Sequence, residues 1–208
     1  MNDVRRLLIL PVLAGLALGV GDLVVMTHVD YPWADLANSS AVWAVSAFVL
    51  GAALRTSPER AAVAGAVMLV VAVEAYYGYA AMTGLAGWAS LTSSVARMWD
   101  VFGVIAGVVF GVAGAWTTGS VWWQRVLGAA TGGGVLLGEA LHTWTQDAHA
   151  DGPFRASLDH TAWLMLVLGT LTVVLSARSP RVAVPAVTLA VPTALFCAAA
   201  FTAVGIAY

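Results

Sequence analysis

The sequence predicts an all-α fold, a polytopic membrane bundle of about seven transmembrane helices. Three observations predict it. Of 208 residues, 61% are hydrophobic and only 10% are charged, where a soluble domain carries roughly 25% charged residues. Mean hydropathy is +0.88. The few charges fall in short clusters between long apolar runs rich in Ala, Leu, Val and Gly. Those runs lack the two-residue alternation of a barrel strand, so helices are the economical way to satisfy their backbone in lipid.

The apolar runs are 7–27, 40–54, 61–83, 98–116, 125–144, 160–177 and 182–207. The first follows Met1–Arg6 and superficially resembles a signal peptide. It exceeds the roughly 7–15 residues of a signal core and lacks a small-x-small cleavage site, so it reads as a retained helix. The second run is short, and its helix is expected to begin near Asn38. Trp88–Met98 is expected to form a short interfacial helix. Pro185 and Pro192 are expected to kink the last helix. The chain, 1–208, reads as one integral membrane domain.

Orientation comes from arginine. Arg5, Arg6, Arg55, Arg60, Arg125, Arg178 and Arg181 share one side if the N-terminus is inside, while Arg97 and Arg155 fall on the other. The positive-inside rule therefore puts the N-terminus in the cytoplasm. A weak repeat of helical hairpins is also visible. Trp43, Trp99 and Trp163 each stand near the outer end of an inward-running helix. The turns RTSPERAAVAG and RSPRVAVPAV resemble each other, and Glu74 and Glu139 sit at matching depth.

Composition excludes several function classes. Every basic residue other than histidine is arginine. Without lysine there is no Schiff base, so no retinal protein, and no P-loop or kinase lysine. Cys197, the single cysteine, allows neither an internal disulfide nor a Cys-based metal cluster. Net charge is −2 without a basic patch, which excludes nucleic acid as an expected partner.

The informative residues are intramembrane acids. Asp22, Glu74, Asp100 and Glu139 lie within or at the edge of spans, and His142 follows Glu139 on the same helix face. Each acid costs at least about 2.5–3.5 kcal/mol near the bilayer centre. No arginine inside a span neutralises them, and all lie in the outer half. Asp22 shares a face with Gly15 and Gly19, Asp100 with Gly103 and Gly107, and Glu139 with Gly128 and Gly132. Small residues at such spacing mark helix–helix contacts, so these acids are expected to point inward. Trp43, Trp99, Trp144, Tyr76, Tyr77 and Tyr79 lie at similar depth and could wall a cation site.

A transporter or substrate-binding component is therefore expected, with an outward-facing acidic and aromatic cavity for a small cation or protons. Its lining would include Asp22, Asp100, Glu139, His142, Glu74, Tyr77, Trp99 and Trp43, with Glu139 as the main cation site. The first alternative is a membrane metalloenzyme using Glu74, Glu139 and His142, since Glu-x-x-His is a bundle metal spacing. The second is a non-catalytic accessory or sensor subunit whose acids only specify packing. The polar stretch Thr145–His160 reads as a solvated loop, and a homo-oligomer or partner membrane subunit is compatible with the apolar faces.

Four segments, DLANSSAVWAVSAFVLGAA (35–53), VEAYYGYAA (73–81), WDVFGVIAGVVFGVAGAW (99–116) and LGAATGGGVLLGEAL (127–141), resemble a family of small actinobacterial multi-pass membrane proteins of unknown function. The resemblance implies a helical membrane fold and a place in a bacterial plasma membrane. It transfers no catalytic residue.

Overall fold

Each apolar run is a helix in the computed structural model of the chain, which describes residues 3–147 and 153–204. In chain order these are α1 (Asp3–His28), the short α2 (Trp33–Ala37), α3 (Ser40–Leu54), α4 (Pro58–Met82), α5 (Ser94–Thr118), α6 (Trp122–Asp147), α7 (Pro153–Ala177) and α8 (Pro180–Val204). No strand occurs among the described residues. Five helices, α1, α4, α5, α7 and α8, are long and apolar enough to cross a membrane.

The two other long helices depart from that standard for different reasons. α3 has 15 residues, about 22 Å at 1.5 Å per residue, short of a hydrocarbon core of about 30 Å. It begins at Ser40; Asn38, where the sequence reading started it, instead caps the end of α2. α6 has 26 residues and carries Gln124, Arg125, Glu139 and His142. It can be more polar because it is the central post: from Gly128 to Thr143 nearly every residue is buried. It packs against α3, α5, α7 and α8.

Other boundaries also shift. Trp88–Thr92 is a single 3-10 segment rather than a helix reaching Met98, and α5 starts at Ser94 because the Ser93 hydroxyl accepts from Ala96 N at 3.1 Å. The expected loop 145–160 is largely helical at both ends, with α6 running to Asp147 and α7 starting at Pro153; His149 and Asp151 lie outside the described residues. Pro185 and Pro192 stand inside an unbroken α8.

Glycine sets the spacing. A Cβ on Gly19 of α1 would run into the Ala72 carbonyl of α4. The same holds for Gly65 of α4 against Gly107 of α5, for Gly114 of α5 against Phe48 of α3, and for Gly133 of α6 against Gly169 of α7. The inward glycine faces expected for Asp22, Asp100 and Glu139 are therefore present as helix contacts. Their register also gives direction. Gly15 and Gly19 meet Met68 and Ala72 in rising order, so α1 and α4 run parallel. Gly103, Gly107 and Gly111 meet Leu69, Ala66 and Ala61 in falling order, so α4 and α5 run antiparallel.

The two similar turns share a conformation. Arg55 and Arg178 end α3 and α7 in the left-handed region, at φ 47° and 55°. A Ser-Pro pair then opens the next helix in both, Ser57-Pro58 after an intervening Thr56 and Ser179-Pro180 directly after Arg178. Glu74 and Glu139 differ in surroundings: Glu74 is exposed and Glu139 is buried.

Gly65→Ala should lower stability by about 1–3 kcal/mol, because the new methyl meets backbone that cannot yield. Gly21→Ala, where nothing lies within 4 Å, should be neutral or stabilise by up to about 1 kcal/mol. Thermal unfolding of the two variants in detergent checks the contrast.

Candidate functional site

The shortness of α3 shapes the site. A helix that begins below the level of its neighbours leaves orphan N–H groups in its first turn. Two side chains accept from these N–H groups. Ser39 accepts from Val42 N at 3.1 Å. Glu139, reaching across from α6, accepts from Ala41 N at 2.6 Å and from the Ser39 hydroxyl at 2.9 Å, both at Oε2. A carboxylate at a helix N-terminus is also favoured by the helix dipole.

Beside the first turns of α3 lies a cavity of about 540 Å³. Asp22 of α1 and Asn38, Ser40 and Trp43 at the head of α3 supply its polar edge. Tyr76, Tyr77, Trp99, Phe102, Phe110 and Phe201 supply rings from α4, α5 and α8, and Leu69, Val73 and Val135 complete the apolar floor. No basic residue is among these lining residues.

Asp22 is only 5% exposed. Gly19, one turn earlier, brings α1 against Ala72, and this places Asp22 beside Tyr76 one turn further along α4. Trp43 Nε1 donates to Asp22 Oδ2 at 2.8 Å. Oδ1 has no hydrogen-bond partner. The rings are braced as edge-to-face pairs, Tyr76–Tyr77 at 5.4 Å and Trp99–Phe102 at 5.9 Å between centroids.

Four expected residues, Asp22, Trp43, Tyr77 and Trp99, line the cavity. Four do not. Glu139 lies behind Ser39 and Ala41 as the cap of α3 and has no place in the lining, which corrects its expected role as the main cation site. His142 is 2% exposed; its Nδ1 lies 3.2 Å from Thr202 Oγ1 and its ring lies against Phe201, so it backs the wall rather than forming it. Glu74 is exposed on α4, and Asp100, its electrostatic neighbour, is half-buried beside Trp99.

The metal set fails on the same geometry. Among the described residues no three His, Cys, Asp or Glu side chains stand close enough to hold a metal ion, so Glu74, Glu139 and His142 do not converge. Trp144, an expected wall residue, instead meets Trp163 edge to face at 5.3 Å between centroids and donates to Asp159. Phe102 escaped the sequence reading although it stands three residues after Trp99, on one helix face. Phe201 and Asn38 carried no local signal.

Asp35 was also missed. It sits in α2, 8% exposed, and accepts from Thr161 Oγ1 at 3.1 Å and Ser157 Oγ at 3.2 Å. These bonds tie the segment over α3 to α7. Burial pushes the Asp35 carboxyl above its ordinary value of 3.8, against the opposing bonds from Thr161 and Ser157.

The fold and cavity define a helical protein of membrane type with an aromatic pocket and one carboxylate at its edge. The chain belongs to the family of unknown function DUF6518, whose family model covers residues 1–206. No curated protein and no solved structure matches it.

Glu139→Ala should cost about 3 kcal/mol or more, because it strips the cap from α3 and leaves Ala41 N unpaired. Glu139→Gln keeps an acceptor and should cost about 1 kcal/mol; unfolding in mixed micelles measures both. The folded protein holds the Asp35 proton more tightly than the unfolded chain does, so stability falls as pH rises above 3.8 toward the raised value. Asp35→Asn should flatten that fall, as read from melting temperatures across about pH 4 to 7.

Proposed function

We propose that this protein binds a small organic cation, as a transporter or as the substrate-binding component of one. Its seven long helices cross the bacterial plasma membrane, with the N-terminus in the cytoplasm and the cavity in the outer half. The alternating helix directions and the gathering of Arg55, Arg60, Arg125, Arg178 and Arg181 at the opposite end from Trp43 and Trp99 support this arrangement.

One observation carries the cation reading. Asp22 lines an aromatic cavity that has no basic residue, and one of its oxygens lacks a partner. A carboxylate removed from water gains most from a positive charge brought beside it. Oδ1 is itself covered, while the residue as a whole lines the void. The rings add cation–π attraction, each worth about 0.5–2 kcal/mol. A cavity of about 540 Å³ falls within the roughly 300–1,000 Å³ of small-molecule sites.

The lining favours an organic ion over a metal. Calcium and magnesium take about six or more oxygen ligands and prefer several carboxylates, whereas the lining offers one carboxylate, one amide, one serine and two tyrosine hydroxyls amid rings and aliphatic side chains. The cation site is therefore Asp22 rather than Glu139, with Trp43 holding it in place.

Organic ammonium ions should raise the melting temperature of the purified protein. Asp22→Asn, which keeps the bond to Trp43 but removes the charge, should weaken their binding at least about tenfold. Equal binding by the Asn variant, or no response to any ammonium ion, overturns the reading.

A further inference from the structure

We propose that the ligand of this cavity is a single-chain amphiphilic ammonium ion that enters from the lipid, its head at Asp22 and its tail leaving between α5 and α8. The inference rests on the cation reading above and adds the class of cation and its route.

The cavity has an incomplete wall. Both α5 and α8 line it, through Ile105 and Val109 on one side and Ala200 and Phe201 on the other. Yet the two helices hardly touch each other. Ile105 and Val109 are 57% and 48% exposed while lining the cavity, and Ala200 is exposed too. The void is therefore open along this edge.

The edge lies deep. Ile105 and Val109 are the twelfth and sixteenth residues of the 25-residue α5, so Ile105 stands about 17 Å from its start at 1.5 Å per residue. In a spanning helix that is the middle of the hydrocarbon, not the headgroup layer. The opening is bordered by Ile, Val, Ala and Phe, whereas the polar groups stand at the far side around Asp22. An ion ending inside the cavity would leave this edge to lipid chains. An ion with a hydrocarbon tail fills it and keeps that tail out of water throughout.

The charge pattern selects among amphiphiles. A zwitterionic phospholipid brings a phosphate within reach of its amine, and no arginine or histidine lines the cavity to receive it. Such a phosphate would be dehydrated beside Asp22 and the ring faces, which repel it. An amphiphile whose only charge is the ammonium meets no such cost.

The test uses the full chain in nanodiscs and a radiolabelled decyltrimethylammonium ion, with butyl, heptyl and decyl homologues as competitors. Dissociation constants are expressed per mole fraction in the bilayer, which removes simple partitioning. The three homologues should agree within about threefold, because a longer tail only continues into lipid. Ala200→Trp should weaken decyl binding about tenfold and butyl binding markedly less; Ile105→Phe, also at an exposed position, should act in the same direction. Strong butyl binding that collapses at decyl, or blocking variants that treat all homologues alike, overturns the lateral route and leaves the cation reading standing. Displacement by lysophosphatidylcholine as effective as by the decyl ion overturns the restriction to phosphate-free amines. Failure of every homologue, butyl included, overturns the cation reading and this inference with it.

Discussion

The contact between the Glu139 carboxylate and the first turn of α3 governs the architecture around it. α3 is too short to match its neighbours, so its exposed N–H groups need acceptors below the end of the bundle. Water is scarce there, and an unsatisfied backbone donor is costly. Glu139 and Ser39 supply those acceptors from within the protein. With the helix start secured from within the protein, the space beside its first turns stays open as the cavity. The acid that looked most functional in the sequence thus makes the cavity stable from outside its lining.

Close packing supplies the second constraint. Among apolar helices in lipid, burial of apolar surface gives little drive, and close van der Waals contact takes its place. Glycines provide that contact along α1–α4, α4–α5 and α6–α7. α6 joins the two cores, one built on Ala41, Phe48 and Phe110 and the other on Val173, Val182 and Ala186. Because α6 is enclosed by protein, it tolerates Glu139 and His142, which a lipid-facing helix would not. Where two helices barely meet, as α5 and α8 do, the packing leaves an edge, and the cavity opens there.

The intramembrane acids separate by surroundings rather than by depth. Asp22 faces an aromatic void with Trp43 on one oxygen. Glu139 is bonded into a helix start. Glu74 stands on the outside of α4. A shared distance from the membrane surface is a property of position along the helix, which a sequence shows directly. Facing direction depends on which neighbours a helix finds, and a single valine-rich face like that of Glu74 does not announce them. The same distinction explains the expected aromatic wall: Tyr77 and Trp99 reach the cavity, whereas Trp144 meets Trp163 edge to face.

Composition and periodicity alone determined that the chain is helical and of membrane type, where its long helices lie to within about seven residues at either end, and that Gly15, Gly19, Gly107, Gly128 and Gly132 make helix contacts. Those properties are local, because each helix satisfies its own backbone and each glycine is small wherever it sits. Tertiary structure decided that Glu139 is a cap, that Asp22 edges the cavity, and that Phe102 and Phe201 complete its wall. It also decided that Asp35 ties α2 to α7. These are relations between residues up to 126 positions apart. They follow from how the helices pack, and neither side chain of such a pair carries a mark of the other in the sequence.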